Sequence, residues 1–276
     1  MAEELPDIDA READLYATRR NTEYKLVQFV SAQGVARLTL NRPQANVLSV
    51  EVLDELVSAL EALEYQRDVK LLVVSAVGKY FSAGFELGDH IGDRAYVMLE
   101  QFHRLVEVLA SMDKPSLAVV AGPALGAGCM LAAACDMTLA GASVKFALPE
   151  IKGGVFNTVA AALLPRIVGR KKAFEMILGG LVLTAADAEK AGLISRAVPD
   201  ERLEAEAAAV IQRFQEGSAP LLQCARRALA GGLELLPPDA LRHAEDVYLN
   251  QLMATEDVEE GLQAVLARRK PVWKDR

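Results

Sequence analysis

From Pro115 to Cys135 the chain carries no charged residue, and a run of that length is enough on paper to cross a bilayer. Its punctuation argues otherwise. Gly122-Pro123, Gly126 and Gly128 interrupt it, its first part (Leu117 to Ala121) is β-like, and its end is rich in alanine. A buried strand, a glycine-containing turn and a buried helix explain it better than a membrane span. Such a segment needs a core around it, and 276 residues can supply one.

The flanking sequence repeats the same layering. Leu26 to Val30 and Val35 to Leu40 read as short strands joined at Ala32-Gln33-Gly34, a hairpin signal. Pro43 ends the second strand, because it cannot continue a central ladder. Ser49 begins an amphipathic helix with Val52, Leu53, Leu56, Val57, Leu60 and Leu63 at helical spacing. Val69 to Ala76 is continuously apolar, as in a parallel strand buried on both faces. A loop, Gly78 to Asp93, precedes a helix bearing Val97, Leu99, Phe102, Leu105, Val106 and Leu109. The pattern returns with strand Leu117 to Ala121, helix Gly128 to Cys135, strand Met137 to Ala140 and a short Lys145 to Ala147 run. This is α/β layering, and such folds place ligands in the loops at strand C-termini.

From Ala185 onward strand signals nearly vanish. Thr184-Ala-Ala-Asp187 resembles a capping box, and helices are expected over Glu201 to Gln215, Pro220 to Ala230, Pro238 to Met253 and Glu256 to Arg269. They are too apolar on one face to stand alone, so they must dock on the α/β part or on another subunit.

Composition excludes several classes. Thirty Lys and Arg against 38 Asp and Glu leave a formal charge of -8, which argues against nucleic-acid binding, since phosphate neutralisation needs clustered cations. Cys129, Cys135 and Cys224 show no CxxC spacing, and two lie in apolar sequence where a free thiol behaves as a small hydrophobe. A cytoplasmic, reducing location without zinc follows as the expectation. The first twenty residues have no apolar core of a secretory signal. The histidines, His90, His103 and His243, lack metal-site spacing, and His103 and His243 read as surface or interfacial. No metal is expected.

Three segments remain as candidates for chemistry. Gly126-Ala127-Gly128 lacks the last glycine of a dinucleotide fingerprint; it is either a turn that only needs small residues, or one that lets a ligand approach backbone amides at a helix N-terminus. Phe81-Ser82-Ala83-Gly84-Phe85 also follows a buried strand, and Gly84 permits a turn that exposes the Phe85 amide. The amides of Phe85 and Ala127 are therefore candidates to meet on one oxygen. Ser82 lacks the GxSxG elbow of a serine hydrolase. Third, Glu150 follows Pro149 amid largely uncharged sequence; on sequence alone it is either a solvated helix start or an acid–base group.

Together these segments are distinctive. From about Tyr24 to the C-terminus the chain resembles the crotonase (enoyl-CoA hydratase/isomerase) superfamily, through Leu40-Asn-Arg-Pro43, Phe81-Ser-Ala-Gly-Phe-Glu-Leu87, Gly122-Pro-Ala-Leu-Gly-Ala-Gly-Cys129, Cys135-Asp136 and Pro149-Glu150-Ile151. Glu150 to Phe156, Leu164 to Arg170 and Tyr248 to Trp273 are similar to cyclohexa-1,5-dienecarbonyl-CoA hydratases. The resemblance implies an α/β fold, a crotonase-type spiral of ββα units, with a helical C-terminal trimerisation region. It divides the chain into a polar N-terminal extension (1–22), the spiral core (23–200) and the helical oligomerisation region (201–276), assembled as a homotrimer or hexamer.

It further implies an acyl-CoA substrate, no separate cofactor, and no nucleic-acid or membrane partner. The thioester carbonyl is expected between the amides of Phe85 and Ala127, and Glu150 is the expected base. Met130, Asn157, Thr158 and His90 are expected in the substrate pocket; Ala45, Val47, Ala83 and Leu87 near the adenine; and Arg269 or Lys270 near the CoA phosphates. Hydratases of the family use two glutamates. The second matches Glu150, but the first falls on Met130. That departure leaves Glu150 to position water and move both protons, unless Asn157, Thr158 or another group assists. It also suits a single-base double-bond isomerase; a decarboxylase and an inactive acyl-CoA-binding scaffold are the further alternatives. Asp136, at a helix end where negative charge is unfavourable, should be hydrogen-bonded.

Overall fold

The computed structural model describes residues 24–276; the polar extension expected over 1–22 lies outside them. The strands are β1 (Val27–Ala32), β2 (Val35–Leu40), β3 (Leu71–Ala76), β4 (Ser116–Val120), β5 (Ala124–Leu125), β6 (Met137–Gly141), β7 (Lys145–Ala147), β8 (Val182–Thr184) and β9 (Arg196–Val198). The helices are α1 (Val50–Glu64), α2 (Arg94–Ser111), α3 (Ala127–Ala134), α4 (Thr158–Ile167), α5 (Arg170–Gly179), α6 (Ala185–Lys190), α7 (Leu203–Gln215), α8 (Ala219–Gly232), α9 (Pro237–Asn250) and α10 (Glu256–Leu266). Among the described residues no helix is long and apolar enough to cross a membrane.

β1 and β2 form the hairpin, with Gln33 and Gly34 at φ 54° and 74°, the left-handed turn geometry that matches strand twist. The remaining strands of the larger sheet add in parallel, in the order β1-β2-β3-β4-β6-β9. Side-chain alternation divides these strands between two cores. Leu38, Leu40, Leu72, Val74, Ala118 and Val120 join the main core with α1, α2 and α3. Val35, Leu71, Val73, Leu117 and Leu139 pack on Leu203, Ala207 and Ile211 of α7. Burial on both faces is why β3 reads as an unbroken apolar run.

A smaller sheet, β5-β7-β8, lies beside the larger one. Single bridges extend it, Ser82 with Ala124 and Leu48 with Phe85. Each turn of the chain therefore lays a strand in the large sheet, a short strand or bridge in the small one, and then a helix. β2, Leu48 and α1; β3, Ser82 and α2; β4, β5 and α3; and β6, β7 and α4 repeat that order. This is a spiral of ββα units, and it brings the successive small-sheet segments, with the turns that follow them, together along one line.

Several expected boundaries move by one or two residues, and some elements were not anticipated. β8 and β9 are three-residue strands at sheet edges, too short to give a periodic signal. α5 carries Arg170, Lys171 and Lys172 in its first turn and buries only Ala173 and Met176. The last helix ends at Leu266 rather than Arg269 because Arg268 is left-handed at φ 52°. The helix expected to run to Met253 stops at Asn250, where Gln251 leaves helical geometry. Thr184 caps α6 as expected, its hydroxyl accepting from the Asp187 amide at 3.1 Å.

α8 docks on the core through a buried cation. Arg226 of α8 donates from Nη2 to the Leu109 carbonyl at 2.7 Å, from Nη1 to Ala110 at 3.2 Å and to Met112, and from Nε to Asp136 Oδ2 at 3.0 Å. It thus supplies donors to the open carbonyls at the C-terminal end of α2, where positive charge is favoured. Asp136 also accepts from the Ser116 amide and hydroxyl, each at 2.8 Å. The expected hydrogen bonding of Asp136 is present, and it ties β4 to α8.

Candidate active site

Three turns meet beside the smaller sheet. The first follows β3. Leu48 donates to the Gly84 carbonyl at 2.8 Å and accepts from the Glu86 amide at 3.2 Å. In this parallel bridge the Phe85 N–H points away from Leu48, toward the turn before α3. Gly84 has φ 101°, a conformation that side chains rarely adopt. Ser82 is fully buried and its Oγ accepts from the Gly84 amide at 3.1 Å. It holds this turn and is not poised as a nucleophile.

The second turn leads into α3. A Cβ built on Gly84 would lie 3.6 Å from the Ala127 nitrogen, so the backbones carrying the Phe85 and Ala127 amides abut. Ala127 is the first residue of α3, and its N–H belongs to the unsatisfied first turn. Neither amide donates to another group among the described residues. The two glycines flanking Ala127 have separate steric reasons. A Cβ on Gly128 would stand 2.5 Å from the Ser82 Cβ, and one on Gly126 would stand 2.6 Å from Glu150 Oε1. Both are there for close approach by other parts of the protein.

The third turn is the 3-10 segment Pro149–Gly153 after β7. The Gly126 amide donates to the Ala147 carbonyl at 2.8 Å, fastening this turn to the second. Glu150 Oε1 accepts from Asn157 Nδ2 at 3.2 Å, while Oε2 is buried with no hydrogen-bond partner. Burial raises the Glu150 pKa above its ordinary value of 4.5, and its own backbone, Asn157 and the charge of His90 oppose the rise. Asn157 is itself buried and caps α4, its Oδ1 accepting from the Ala160 amide at 2.9 Å. That bond fixes the amide so that Nδ2 faces the glutamate.

The other expected pocket residues are dispersed around this centre. The His90 ring stands edge-on to Phe85, 5.6 Å between centroids, and Phe85 stands edge-on to Phe102 at 4.9 Å. Met130 is fully buried in the main core, one turn into α3. Thr158 Oγ1 pairs with His103 Nε2 at 2.8 Å. His103 is thus tied to the start of α4, a connection across 55 residues of sequence that no local pattern signals.

Ala45 and Ala83 are neighbours, the Ala83 amide donating to the Ala45 carbonyl at 2.9 Å. Gln44, Ala45 and Asn46 all have positive φ. Such strain costs on the order of 1–3 kcal/mol per residue. Buried Asn46 holds the loop, accepting from the Arg42 amide and donating to the Val77 and Tyr80 carbonyls at 2.8 and 2.9 Å. A cavity of about 390 Å³ opens between Arg42–Ala45 and Val77–Tyr80. Val47 is half-buried and Leu87 exposed. Arg269 is engaged in a two-pronged ion pair with Glu260 at 2.6 and 2.8 Å, whereas Lys270 is exposed and makes no ion pair among the described residues.

Comparison with known proteins gives the family. Residues 31–276 match the family model described as Enoyl-CoA hydratase/isomerase. A probable enoyl-CoA hydratase of Rhizobium meliloti is 39% identical over 251 residues, covering 90% of this chain and 97% of that protein. The 2,3-dehydroadipyl-CoA hydratase of Escherichia coli is 35% identical, covering 88% and 96%. The crystal structure of an enoyl-CoA hydratase from Mycobacterium smegmatis superimposes with a TM-score of 0.85 at 31% identity, covering 91% of this chain and 99% of that one.

The buried carboxylate has a signature in stability. Its folded-state pKa is raised above 4.5, so the folded protein holds this proton to higher pH than the unfolded chain does. Its contribution is fully favourable below about 4.5 and is lost as pH rises through the raised value. Glu150→Gln removes the titration. The melting temperature of the variant relative to the parent should therefore rise between about pH 4 and pH 8. A difference that stays flat, or falls, across that range contradicts the burial of an ionisable Glu150.

Proposed function

The chain belongs to the enoyl-CoA hydratase/isomerase family, and we propose that it adds water to, or removes it from, the α,β double bond of an unsaturated acyl-CoA. The observation that carries this reading is the position of Glu150. Its carboxylate is lodged against Gly126, beside two backbone amides that have no partner among the described residues.

The chemistry follows from that arrangement. A thioester oxygen accepting from the Phe85 and Ala127 amides is polarised, and the enolate formed on attack at the β-carbon places negative charge on it. A donor so placed contributes about 3 kcal/mol to the transition state. Glu150, with its free Oε2 and a pKa raised by burial, takes the proton from the attacking water. Asn157 acts through Glu150 by holding Oε1. The adenine lies near Ala45, Val47, Ala83 and Leu87, and Lys270 rather than Arg269 serves the CoA phosphates, because Glu260 already engages Arg269. A cyclic acyl group is favoured by the sequence likeness to cyclohexa-1,5-dienecarbonyl-CoA hydratases. The reaction requires no metal or redox cofactor.

A second reading, movement of the double bond by a single base, is favoured by apolar Met130 at the position of the family's other glutamate. Product mass separates the two, since hydration adds one water and isomerisation adds nothing. Glu150→Gln keeps the shape and hydrogen bonding of the side chain but removes the base. It should lower hydration of a short 2-enoyl-CoA at least about 100-fold while CoA-ester binding persists. Near-parental turnover in that variant rejects the assignment.

The active assembly is proposed to be a homotrimer or a pair of trimers. Leu229, Leu233, Leu236, Leu241, Val265 and Leu266 on and between the last three helices are exposed, Leu233 by 82% and Leu266 by 84%, more apolar surface than a lone protomer keeps without a partner. Sedimentation at micromolar concentration should give a trimer or hexamer; a stable monomer refutes it.

A further inference from the structure

Capping α4 needs only an acceptor, which serine, threonine or aspartate would also supply. Position 157 carries an amide instead, and its Nδ2 has one acceptor among the described residues, Glu150 Oε1 at 3.2 Å. We propose that Asn157 is a positioning residue that divides the two oxygens of Glu150: it holds Oε1 and so leaves Oε2 as the oxygen that takes the proton of the attacking water. This rests on the acyl-CoA reading above and names the working atom of its base.

Three observations support it. The amide cannot turn over: its Oδ1 accepts from the Ala160 amide at 2.9 Å, and a flip would set donor against donor there and acceptor against acceptor at Glu150. Nor can the residue drift. Asn157 is 3% exposed, its carbonyl accepts from the Ala161 amide at 3.0 Å, and the adjoining Thr158 is bonded to His103 of α2 at 2.8 Å. Finally, the carboxylate is asymmetric. A Cβ on Gly126 would stand 2.6 Å from Oε1 but 3.5 Å from Oε2, so Oε1 is closed in by the Gly126 backbone as well as by Asn157, while Oε2 has no partner.

The other titratable groups around Glu150 do not hold it. On its own turn Lys152 lies along Gly180, where a Cβ would meet its Cε at 3.2 Å. From α3, Cys129 is fully buried and stays a neutral thiol, its pKa pushed up to about 12 by burial and then by the Glu150 charge. From the turn after Gly84, the charge of His90 favours the carboxylate without a hydrogen bond to it, and on α2 His103 is engaged by Thr158. Asn157 is thus the one side chain that hydrogen-bonds Glu150 among the described residues. Without it, burial would act on a carboxylate with neither oxygen held by a side chain, and the group would keep its proton to higher pH. A base that stays protonated takes nothing from water.

Two variants keep the cap and change what faces Glu150. In Asn157→Ser the hydroxyl can cap α4 but is too short to serve the glutamate; in Asn157→Asp a carboxylate oxygen replaces the N–H donor and sets like charge against Oε1. Glu150 is titrated directly by the carbon-13 signal of its carboxyl, identified as the one lost in Glu150→Gln, and the pH profile of kcat for a short 2-enoyl-CoA is recorded beside it. Both variants should move the titration and the acid limb of the profile to higher pH, Asp further than Ser. The plateau kcat should fall at least about tenfold, because the working oxygen is no longer aimed, with KM for the CoA ester near the parental value. A titration and acid limb that stay at the parental pH in Asn157→Ser overturn the proposal even if kcat falls, since a capping or packing role alone predicts that result. A parental plateau kcat in a variant whose titration has moved, or a loss carried by KM instead, overturns it as well. If Asn157→Ser fails to melt cooperatively, Asn157→Asp decides on the same readings. A parent that hydrates no enoyl-CoA sinks the hydratase reading, while the titration still decides whether Asn157 holds Glu150.

Discussion

Glu150 lies so close to Gly126 that a Cβ there would stand 2.6 Å from its Oε1, and much of the fold serves to make that approach tolerable. An ionisable group is costly to bury without partners. Here one oxygen receives the Asn157 amide and the other receives nothing. The approach is possible only because position 126 has no side chain and because Gly126 can hold φ 54°. The same glycine is the N-cap of α3, so the Ala127 amide and the helix terminus are fixed relative to it by covalent geometry, and the carboxylate is held against it by packing. Any shift of the third turn against the second would separate the carboxylate from the Ala127 amide.

The spiral supplies the required rigidity. β2, β3, β4 and β6 are each hydrogen-bonded on both sides, and each hands the chain to the small sheet. Phe85, Ala127 and Glu150 come from three consecutive repeats, yet they adjoin because the bridges Leu48–Phe85 and Ser82–Ala124 and the pairing of β5 with β7 align those repeats. The outer parts are held by polar contacts: Arg226 and Asp136 pin α8 to the end of α2 and the start of β4, and Asp89 joins the His90 turn to α1 and α2. Positioning groups thus lie away from the site, and the site retains few polar contacts of its own.

How much of this the sequence disclosed depended on range. α1 and α2 were legible because their apolar residues recur at helical spacing, and the strand at Leu71 because it is apolar throughout. The small residues at 126–128 marked a tight turn, but only the structure says that Glu150 and Ser82 are what approach them. The double role of Asn157, as cap of α4 and holder of Glu150, was not legible, since the amide's orientation depends on the Ala160 bond. Nor was the pairing of His103 with Thr158, or the reach of Arg226 to carbonyls more than a hundred residues away. β9 was missed because three residues with a charge among them carry no period. Local chemistry was readable, and contacts between distant segments were not.

The central claim is that the Phe85 and Ala127 amides converge on a single carbonyl oxygen. Infrared difference spectra of an acyl-CoA labelled with carbon-13 at its thioester carbonyl, bound to the parent protein, test it most directly. Two N–H donors in a site closed to water polarise the carbonyl more than bulk solvent does, so the account predicts a carbonyl band shifted to lower wavenumber than that of the free thioester in water. A bound thioester whose band stays at or above the aqueous position would contradict it.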